Sequence, residues 1–130
     1  MKHSNGDNPP ITQVQCNARL ASIADALYAI GGKWKLRIIV ALFDGTKRFN
    51  ELQRVLNGIS AKVLSNELKD LELNGFIKRN VFTGIPVIVE YEVTDYSDTL
   101  HHVLQSLSEW GAKHKEKVKQ GLHSMEAVAN

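Results

Sequence analysis

The sequence predicts a mainly α-helical fold with one small β-hairpin, and three observations support that prediction. Apolar residues recur at helical spacing through the first half of the chain. They alternate with a period of two between residues 76 and 93, and then return to helical spacing. The chain has 130 residues, of which 43% are hydrophobic, which fits a single globular domain. Each element can therefore be assigned in order.

Two helices are expected in the first third of the chain. The first is predicted over residues 17–30, and Gly31-Gly32 is its stop signal. The second is predicted over residues 34–43, with one apolar side made of Leu36, Ile39, Val40 and Phe43. Residues 1–13 are polar and contain Pro9-Pro10, so we expect a flexible N-terminal tail there.

A short helix, a glycine-containing turn and a longer helix come next. The short helix is predicted over residues 49–56, and the turn is Asn57-Gly58-Ile59. Ser60 has the position of an N-cap for the longer helix, which is expected to end at Asn74-Gly75. Its buried stripe is predicted to be Leu64, Leu68 and Leu71. Two helices joined in this way form a helix-turn-helix.

The period-two segment predicts a hairpin directly after the helix-turn-helix. Its strands are expected at residues 76–82 and 87–93, joined by residues 83–86. A last helix is expected to begin at Thr94 and Asp95. The order ααααββα predicts a winged helix-turn-helix, of class α+β, over residues 14–121, with a C-terminal tail over residues 122–130.

Charge and motif content restrict the functional class. The formal net charge is +2, but residues 33–79 hold ten basic and five acidic side chains, which mildly indicates a polyanionic partner. No apolar run is long enough to cross a membrane and the N-terminus does not resemble a signal peptide, so a cytoplasmic protein is expected. The single cysteine, Cys16, excludes an internal disulfide and a cysteine-based zinc site. We find no catalytic or metal-binding motif, and expect no enzymatic activity, metal or cofactor.

The exposed face of the helix after Ser60 is the predicted DNA-reading surface. At helical spacing, Lys62, Asn66 and Lys69 align opposite the leucine stripe, with Ser65 beside them. Amide and cationic side chains of this kind read base edges in the major groove. An ordinary solvated helix face is the alternative, but the turn before the helix and the hairpin after it favour DNA binding.

Phosphate contacts are expected from cations near helix starts and at the base of the hairpin. The complete predicted DNA-binding set is Lys33, Arg48, Ser60, Lys62, Ser65, Asn66, Lys69, Lys78 and Arg79. Lys35, Lys47 and Arg54 are further phosphate candidates.

Apolar residues of the first and last helices predict a second interface. The last helix carries more large apolar side chains than one small domain needs to cover, although it must also close the core. Together with the first helix it could form an isologous dimer interface. The predicted interface residues are Leu20, Ile23, Leu27, Leu100, Val103, Leu104, Leu107 and Trp110.

Several motifs occur in a characteristic order between residues 21 and 111. They are Ile30-Gly31-Gly32-Lys33-Trp34, Arg48-Phe49-x-Glu51-Leu52, Gly58-Ile59-Ser60-x-Lys62-x-Leu64, Leu68-x-x-Leu71-Glu72-x-x-Gly75, Val89-Glu90-Tyr91-x-Val93-Thr94 and Leu107-x-x-Trp110-Gly111. With these motifs the chain resembles the HxlR family of bacterial winged-helix transcriptional regulators. The resemblance implies a homodimer built through the first and last helices, with the helix from Ser60 in the major groove and the hairpin as the wing.

Two departures from that family's pattern qualify what the resemblance implies. Many members carry a Cys-Pro pair where this chain has Ala21-Ser22, so their redox sensing does not carry over to Cys16. The wing between Thr83 and Ile88 has no Lys or Arg, so its tip should contact DNA weakly. We predict a homodimeric regulator that binds double-stranded DNA at an inverted repeat, with an unidentified small-molecule effector left open. The alternative is a winged-helix module that binds a protein.

Overall fold

The computed structural model describes residues 10–129 and confirms the predicted order of elements. The elements are α1 (Gln13–Ile30), α2 (Lys35–Phe43), α3 (Phe49–Val55), α4 (Ala61–Leu73), β1 (Ile77–Phe82), β2 (Ile88–Val93), a 3-10 helix (Asp95–Leu100) and α5 (His101–Ala129). The fold is therefore mainly helical, with a winged helix-turn-helix formed by α3, α4 and the hairpin.

Helix α1 begins four residues earlier than expected because Thr12 caps it. The Thr12 hydroxyl accepts a hydrogen bond from the Gln15 backbone N–H at 3.1 Å, and the Gln15 side chain accepts one from the Thr12 N–H at 2.9 Å. This reciprocal pair satisfies two N–H groups that would otherwise lack partners. At the other end, a Cβ on Gly31 would lie 2.2 Å from the Leu27 carbonyl oxygen, so the junction with α2 excludes a side chain.

The hydrophobic core lies between α2, α3, α4, the hairpin and the 3-10 helix. As predicted, the leucine stripe of α4 is buried. Of the predicted apolar side of α2, Ile39 is buried and Leu36 and Phe43 pack against the core, but the prediction is wrong for Val40, which is 51% exposed, and it missed the fully buried Ile38. Helix α2 packs against both α3 and β2, so its core face is centred on Ile38, Ile39 and Leu42.

The hairpin is antiparallel, and its base is fixed to the end of α4. Register runs from Ile77 opposite Val93 to Phe82 opposite Ile88. The buried Ser97 hydroxyl donates a hydrogen bond to the Phe76 carbonyl oxygen at 2.5 Å. Residues 95–100, expected as the start of the last α-helix, form a 3-10 helix instead. On the outer edge of β2, Lys47 and Tyr91 exchange two backbone hydrogen bonds, at 2.8 and 3.1 Å.

Helices α1 and α5 extend beyond this packed unit. No residue of α1 is fully buried, and only Ala29 and Ile30 at its end pack against the core. Helix α5 continues to Ala129, so residues 122–129, expected as a tail, are helical. Most of the expected N-terminal tail, residues 1–9, lies outside the described residues. Within residues 10–129, no helix is both long and apolar enough to span a membrane.

Candidate nucleic-acid interface

The turn between α3 and α4 determines where α4 begins and how it is oriented. Gly58 has a φ of +94°, a backbone conformation that favours glycine. The buried Ile59 then anchors the turn in the core. The Ser60 hydroxyl accepts a hydrogen bond from the Val63 N–H at 3.1 Å, which makes Ser60 the N-cap that the sequence predicts.

The predicted reading face of α4 is open to solvent. Lys62, Asn66 and Lys69 are exposed on the side of α4 opposite the buried leucines, and Ser65, beside them, is half-buried. Within residues 10–125, whose side chains are described, none of these four side chains forms a hydrogen bond or ion pair. Their donors and acceptors are therefore available to a ligand.

One flank of α4 faces the hairpin across a shallow groove. The groove is lined by Ser65, Leu68, Lys69, Glu72, Arg79 and Tyr91. The structure thus brings Arg79 beside two predicted reading residues, Ser65 and Lys69.

Lys78 has a different environment from its neighbour Arg79. Its Nζ atom lies 3.0 Å from the Glu92 carboxylate, directly across the hairpin. Hydrogen bonds from Lys78 and then from Asn80 lower the pKa of Glu92, with a smaller opposing contribution from burial. Lys78 is therefore already paired within the wing.

The opposite flank of α4 is joined to α2 by a lysine. The Nζ atom of Lys35 lies 2.8 Å from Glu67 Oε2 and 3.7 Å from Asp70 Oδ2, and the Lys35 side chain is 15% exposed. Lys35, which the sequence predicts as a phosphate contact, is instead paired with two acidic side chains that the sequence does not point to. Glu67 and Asp70 are three residues apart, so both carboxylates lie on one side of α4. No local sequence pattern identifies Lys35 as their partner, because it lies 32 positions before Glu67 in the chain.

The start of α2 holds a cluster of cations around Trp34. The Nζ atom of Lys33 lies 5.0 Å from the Trp34 ring centroid, and the Arg37 guanidinium carbon lies 4.5 Å from it. Arg48, at the start of α3, is exposed, and its backbone N–H donates to Glu51 at 3.1 Å. Lys33 and Arg48 therefore present charge at two helix starts, as predicted for phosphate contacts.

The predicted dimer residues are exposed and apolar, with two exceptions, Leu100 and Leu104. Leu100 is only 8% exposed and belongs to the core, because the 3-10 helix turns it inward, so its assignment to the interface is corrected. Leu104 is half-buried and packs against the core. The remaining residues are exposed: Leu20, Ile23, Leu27, Val103, Leu107 and Trp110. Beside them, α2, α3 and α5 enclose a mainly apolar groove that includes Leu36, Val40, Val55 and Leu107.

The cysteine lies on α1, and two histidines stack on aromatic rings. Cys16 is half-buried on α1. His101 stacks on Phe43 with ring centroids 4.3 Å apart, and His114 stacks on Trp110 at 4.9 Å. Among the side chains that the structure describes, those of residues 10–125, no three of His, Cys, Asp or Glu are grouped to hold a metal ion.

The tip of the wing is apolar and exposed. Its exposed large apolar side chains are Val81, Phe82, Ile85 and Val87. No charged residue lies between residues 83 and 88. This tip therefore differs from the base of the wing, where Lys78 and Arg79 lie.

Comparison with known proteins gives a consistent family assignment. A model of the HxlR-like helix-turn-helix family matches residues 29–119. The HTH-type transcriptional regulator YtcD of Bacillus subtilis is 41% identical over 97 residues, covering 75% of this chain and 77% of YtcD. A regulator of the same type from Halalkalibacterium halodurans is 46% identical over 90 residues, covering 68% of this chain and 80% of that protein.

Solved structures share the fold as well as the sequence. The crystal structure of the regulator YtcD aligns with a TM-score of 0.70 at 40% identity, covering 72% of this chain and 96% of that one. The redox regulator HypR in its reduced form aligns with a TM-score of 0.71 at 33% identity, covering 76% of this chain and 98% of that one. The chain therefore belongs to the HxlR-like helix-turn-helix family and is an HTH-type transcriptional regulator with a winged helix fold.

Proposed function

We propose that this regulator binds duplex DNA as a homodimer, with α4 of each copy in the major groove of one half of an inverted repeat. The observation that carries the proposal is the solvent-open polar face of α4. Lys62, Ser65, Asn66 and Lys69 make no side-chain bond to any other described residue, while the leucine stripe behind them is buried. A rigid helix with such a face has the form that major-groove readers use.

Each predicted contact residue has a specific task in this proposal. Asn66, at the centre of the face, suits adenine, whereas Lys62 and Lys69 suit guanine or phosphate. Arg48 and Lys33 would contact phosphates from two helix starts. The Ser60 oxygen accepts the Val63 N–H, so the hydroxyl proton stays free to donate to a phosphate near the start of α4.

The two predicted residues at the base of the wing differ in their availability. Arg79 lines the groove beside Ser65 and Lys69, so it can extend the reading face. Lys78 would have to leave Glu92, 3.0 Å away, to bind a phosphate. We therefore expect Arg79 to contribute more than Lys78.

The homodimer would form through the exposed apolar side chains of α1 and α5. Exposed apolar patches of this extent usually mark interaction sites, and a two-fold dimer would place two copies of α4 about one helical turn of DNA apart. The interface residues in this proposal are Leu20, Ile23, Leu27, Val103, Leu104, Leu107 and Trp110. A small-molecule effector stays a prediction, for which the groove between α2, α3 and α5 offers an apolar surface.

Selection from a random duplex pool at two salt concentrations tests the DNA-binding part. We expect enrichment of an inverted repeat with half-sites about 10 bp apart. Asn66→Ala should relax the preference at one base position at a cost of about 1–3 kcal/mol. Lys33→Met should instead weaken all duplexes equally and lower the salt slope by about one. An unchanged preference in Asn66→Ala would contradict the assignment of the reading face.

Sedimentation at micromolar concentration tests the dimer. Wild type should sediment as a dimer and Leu27→Asp as a folded monomer, because the substitution puts a charge into a surface that the second copy would cover. Val14→Asp is the matched control, since Val14 is also exposed on α1 but lies on a different side of it. A monomeric wild type would rule out this arrangement.

A protein-binding module is the second candidate function, and the apolar wing tip favours it. Phe82, Ile85 and Val87 are exposed there without a cation between residues 83 and 88. DNA affinity that is indifferent to both salt and sequence would support this alternative over the first proposal.

A further inference from the structure

Two carboxylates lie on the flank of α4 between its buried stripe and its reading face. Glu67 and Asp70 lie about 60° and 120° around the helix from Leu64, on the side away from the hairpin groove. Left unpaired, two negative charges at this position would repel the phosphates that the reading face must approach. Unless they are paired, the carboxylates of α4 would therefore weaken DNA binding by its own reading face.

Lys35, at the start of α2, pairs with these two carboxylates. Its Nζ atom lies 2.8 Å from Glu67 and 3.7 Å from Asp70, and its side chain is 15% exposed. Helix α2 gains nothing from this cation by itself, because a positive charge at a helix start opposes the helix dipole. The first turn of α2 also contains no acidic residue. The favourable interactions of the Lys35 ammonium group are therefore those with the carboxylates of α4.

The pairing also fixes the rotation of α4 about its own axis. On one flank, α4 meets the hairpin at Arg79 and Tyr91, and on the other it is bonded to Lys35. A rotation of about 20° would move the tip of a side chain about 6 Å from the helix axis by about 2 Å. That displacement exceeds what a hydrogen bond to a base edge tolerates.

We propose that Lys35 is a positioning residue for base readout. By pairing with Glu67 and Asp70, it sets the rotation of α4 and neutralises the two carboxylates beside the reading face, and it does not itself bind phosphate. This inference rests on the proposed function, because it assumes that α4 reads duplex DNA.

The test compares Lys35→Met, Glu67→Gln and the double variant with wild type. The probes are the duplex enriched by wild type and a scrambled duplex of the same composition, each titrated at several salt concentrations. Lys119→Met is the matched control, since it removes a lysine paired with Glu116 on α5, far from α4 in the chain. Amide hydrogen exchange of α4, measured without DNA, reports its mobility independently of binding.

Lys35→Met should lower the ratio of specific to scrambled affinity about tenfold, the scale of one misaligned base contact. The two carboxylates left unpaired should also weaken both duplexes by a common factor, which does not change that ratio. Glu67→Gln should lower the same ratio by a smaller factor, because Asp70 still holds the lysine. The double variant should be no worse than Lys35→Met. In Lys35→Met and Glu67→Gln, α4 amides should exchange faster, whereas Lys119→Met should match wild type in every readout.

Three outcomes would overturn the inference, and they can be told apart. If Lys35→Met weakens both duplexes equally and lowers the salt slope by about one, Lys35 is a phosphate contact. If Lys35→Met lowers stability but leaves the affinity ratio intact, the ion pairs are only structural. If wild type enriches no sequence, the proposed function fails first and this inference fails with it.

Discussion

The protein has two regions that differ in how much of their apolar surface is buried. They are residues 35–100, the packed region, and the flanking helices α1 and α5. Ile38, Leu52 and Leu64 of the packed region are fully buried. By contrast, α1 has 18 residues and buries none of them fully, and Leu27 of α1 is 62% exposed. Outside the exposed wing tip, the packed region buries most of its large apolar side chains within a single chain, whereas α1 and α5 leave most of theirs exposed.

This contrast explains the purpose of the apolar pattern in α1. An isolated helix of this length is only marginally stable in water, and in proteins most helical stability comes from packing of an apolar face. Helix α1 is joined to the packed region only near Ala29 and Ile30. Its apolar side chains therefore require a surface from elsewhere, which the proposed second copy would supply.

The sharpest test of the contrast compares one leucine from each region. Leu64→Ala should lower the free energy of unfolding by about 2–5 kcal/mol, because it leaves a cavity in a closed core. In urea denaturation of dilute, monomeric protein, Leu27→Ala should cost less than about 0.5 kcal/mol. At higher protein concentration the cost of Leu27→Ala should grow, because formation of the proposed dimer would be linked to folding. A cost that does not change with concentration would contradict a partner surface on α1.

Local features of the packed region could be predicted from the sequence. The Ser60 cap and the leucine stripe of α4 depend on hydrogen bonds and spacing within a few residues, and both are confirmed. The glycine turn at Gly58 is predicted for the same reason. The DNA-binding roles of the residues on α4 stay predictions.

Features that depend on distant neighbours could not be predicted in this way. Helical periodicity fixes the angles between Ile38, Ile39 and Val40 but not which direction faces the core, which depends on α3 and β2. Leu100 joined the predicted interface because its spacing matched that of α5, whereas the 3-10 helix turns it inward. Lys35 has the charge and the sequence position of a phosphate contact, and only the folded structure brings Glu67 and Asp70 of α4 to it.

The junction between the two regions gives a second, smaller effect. Gly31→Ala would place a Cβ 2.2 Å from the Leu27 carbonyl oxygen, so the backbone must shift, at a cost of about 1–3 kcal/mol. Thermal unfolding measures that cost, and hydrogen exchange should show faster exchange concentrated in α1. Gly111→Ala on α5 is the matched control, compared in dilute, monomeric protein because Gly111 lies one turn after Leu107 on the face of the proposed dimer. A Cβ there meets nothing within 4 Å, so a gain of about 0.5–1 kcal/mol is expected. Equal effects of the two substitutions would show that the junction is not constrained.

The smallest expected effect is electrostatic and lies within the packed region, in the pair between Lys78 and Glu92. The hydrogen bond from Lys78, reinforced by one from Asn80, lowers the pKa of Glu92 below 4.5 in the folded protein. The folded state then binds fewer protons than the unfolded state, so the pair stabilises the fold above pH 4.5. That stability is lost as the pH falls through the lower, folded pKa. Glu92→Gln should therefore reduce stability slightly at pH 7, and the difference from wild type should vanish in acid.

Urea denaturation at several pH values measures the difference in stability between Glu92→Gln and wild type. Glu116→Gln is the control, because Glu116 pairs with Lys119 on α5 and not within the wing. A difference that persists below the folded pKa would show that Glu92 acts through packing instead of charge.

Glu92→Gln also tests whether Lys78 or Arg79 is the cation at the base of the wing that is available to DNA. If Lys78 is withheld from DNA only by Glu92, then Glu92→Gln frees it, and the salt slope of DNA binding should rise by about one. An unchanged slope would leave Arg79 as the cation of the wing base that serves the interface with DNA.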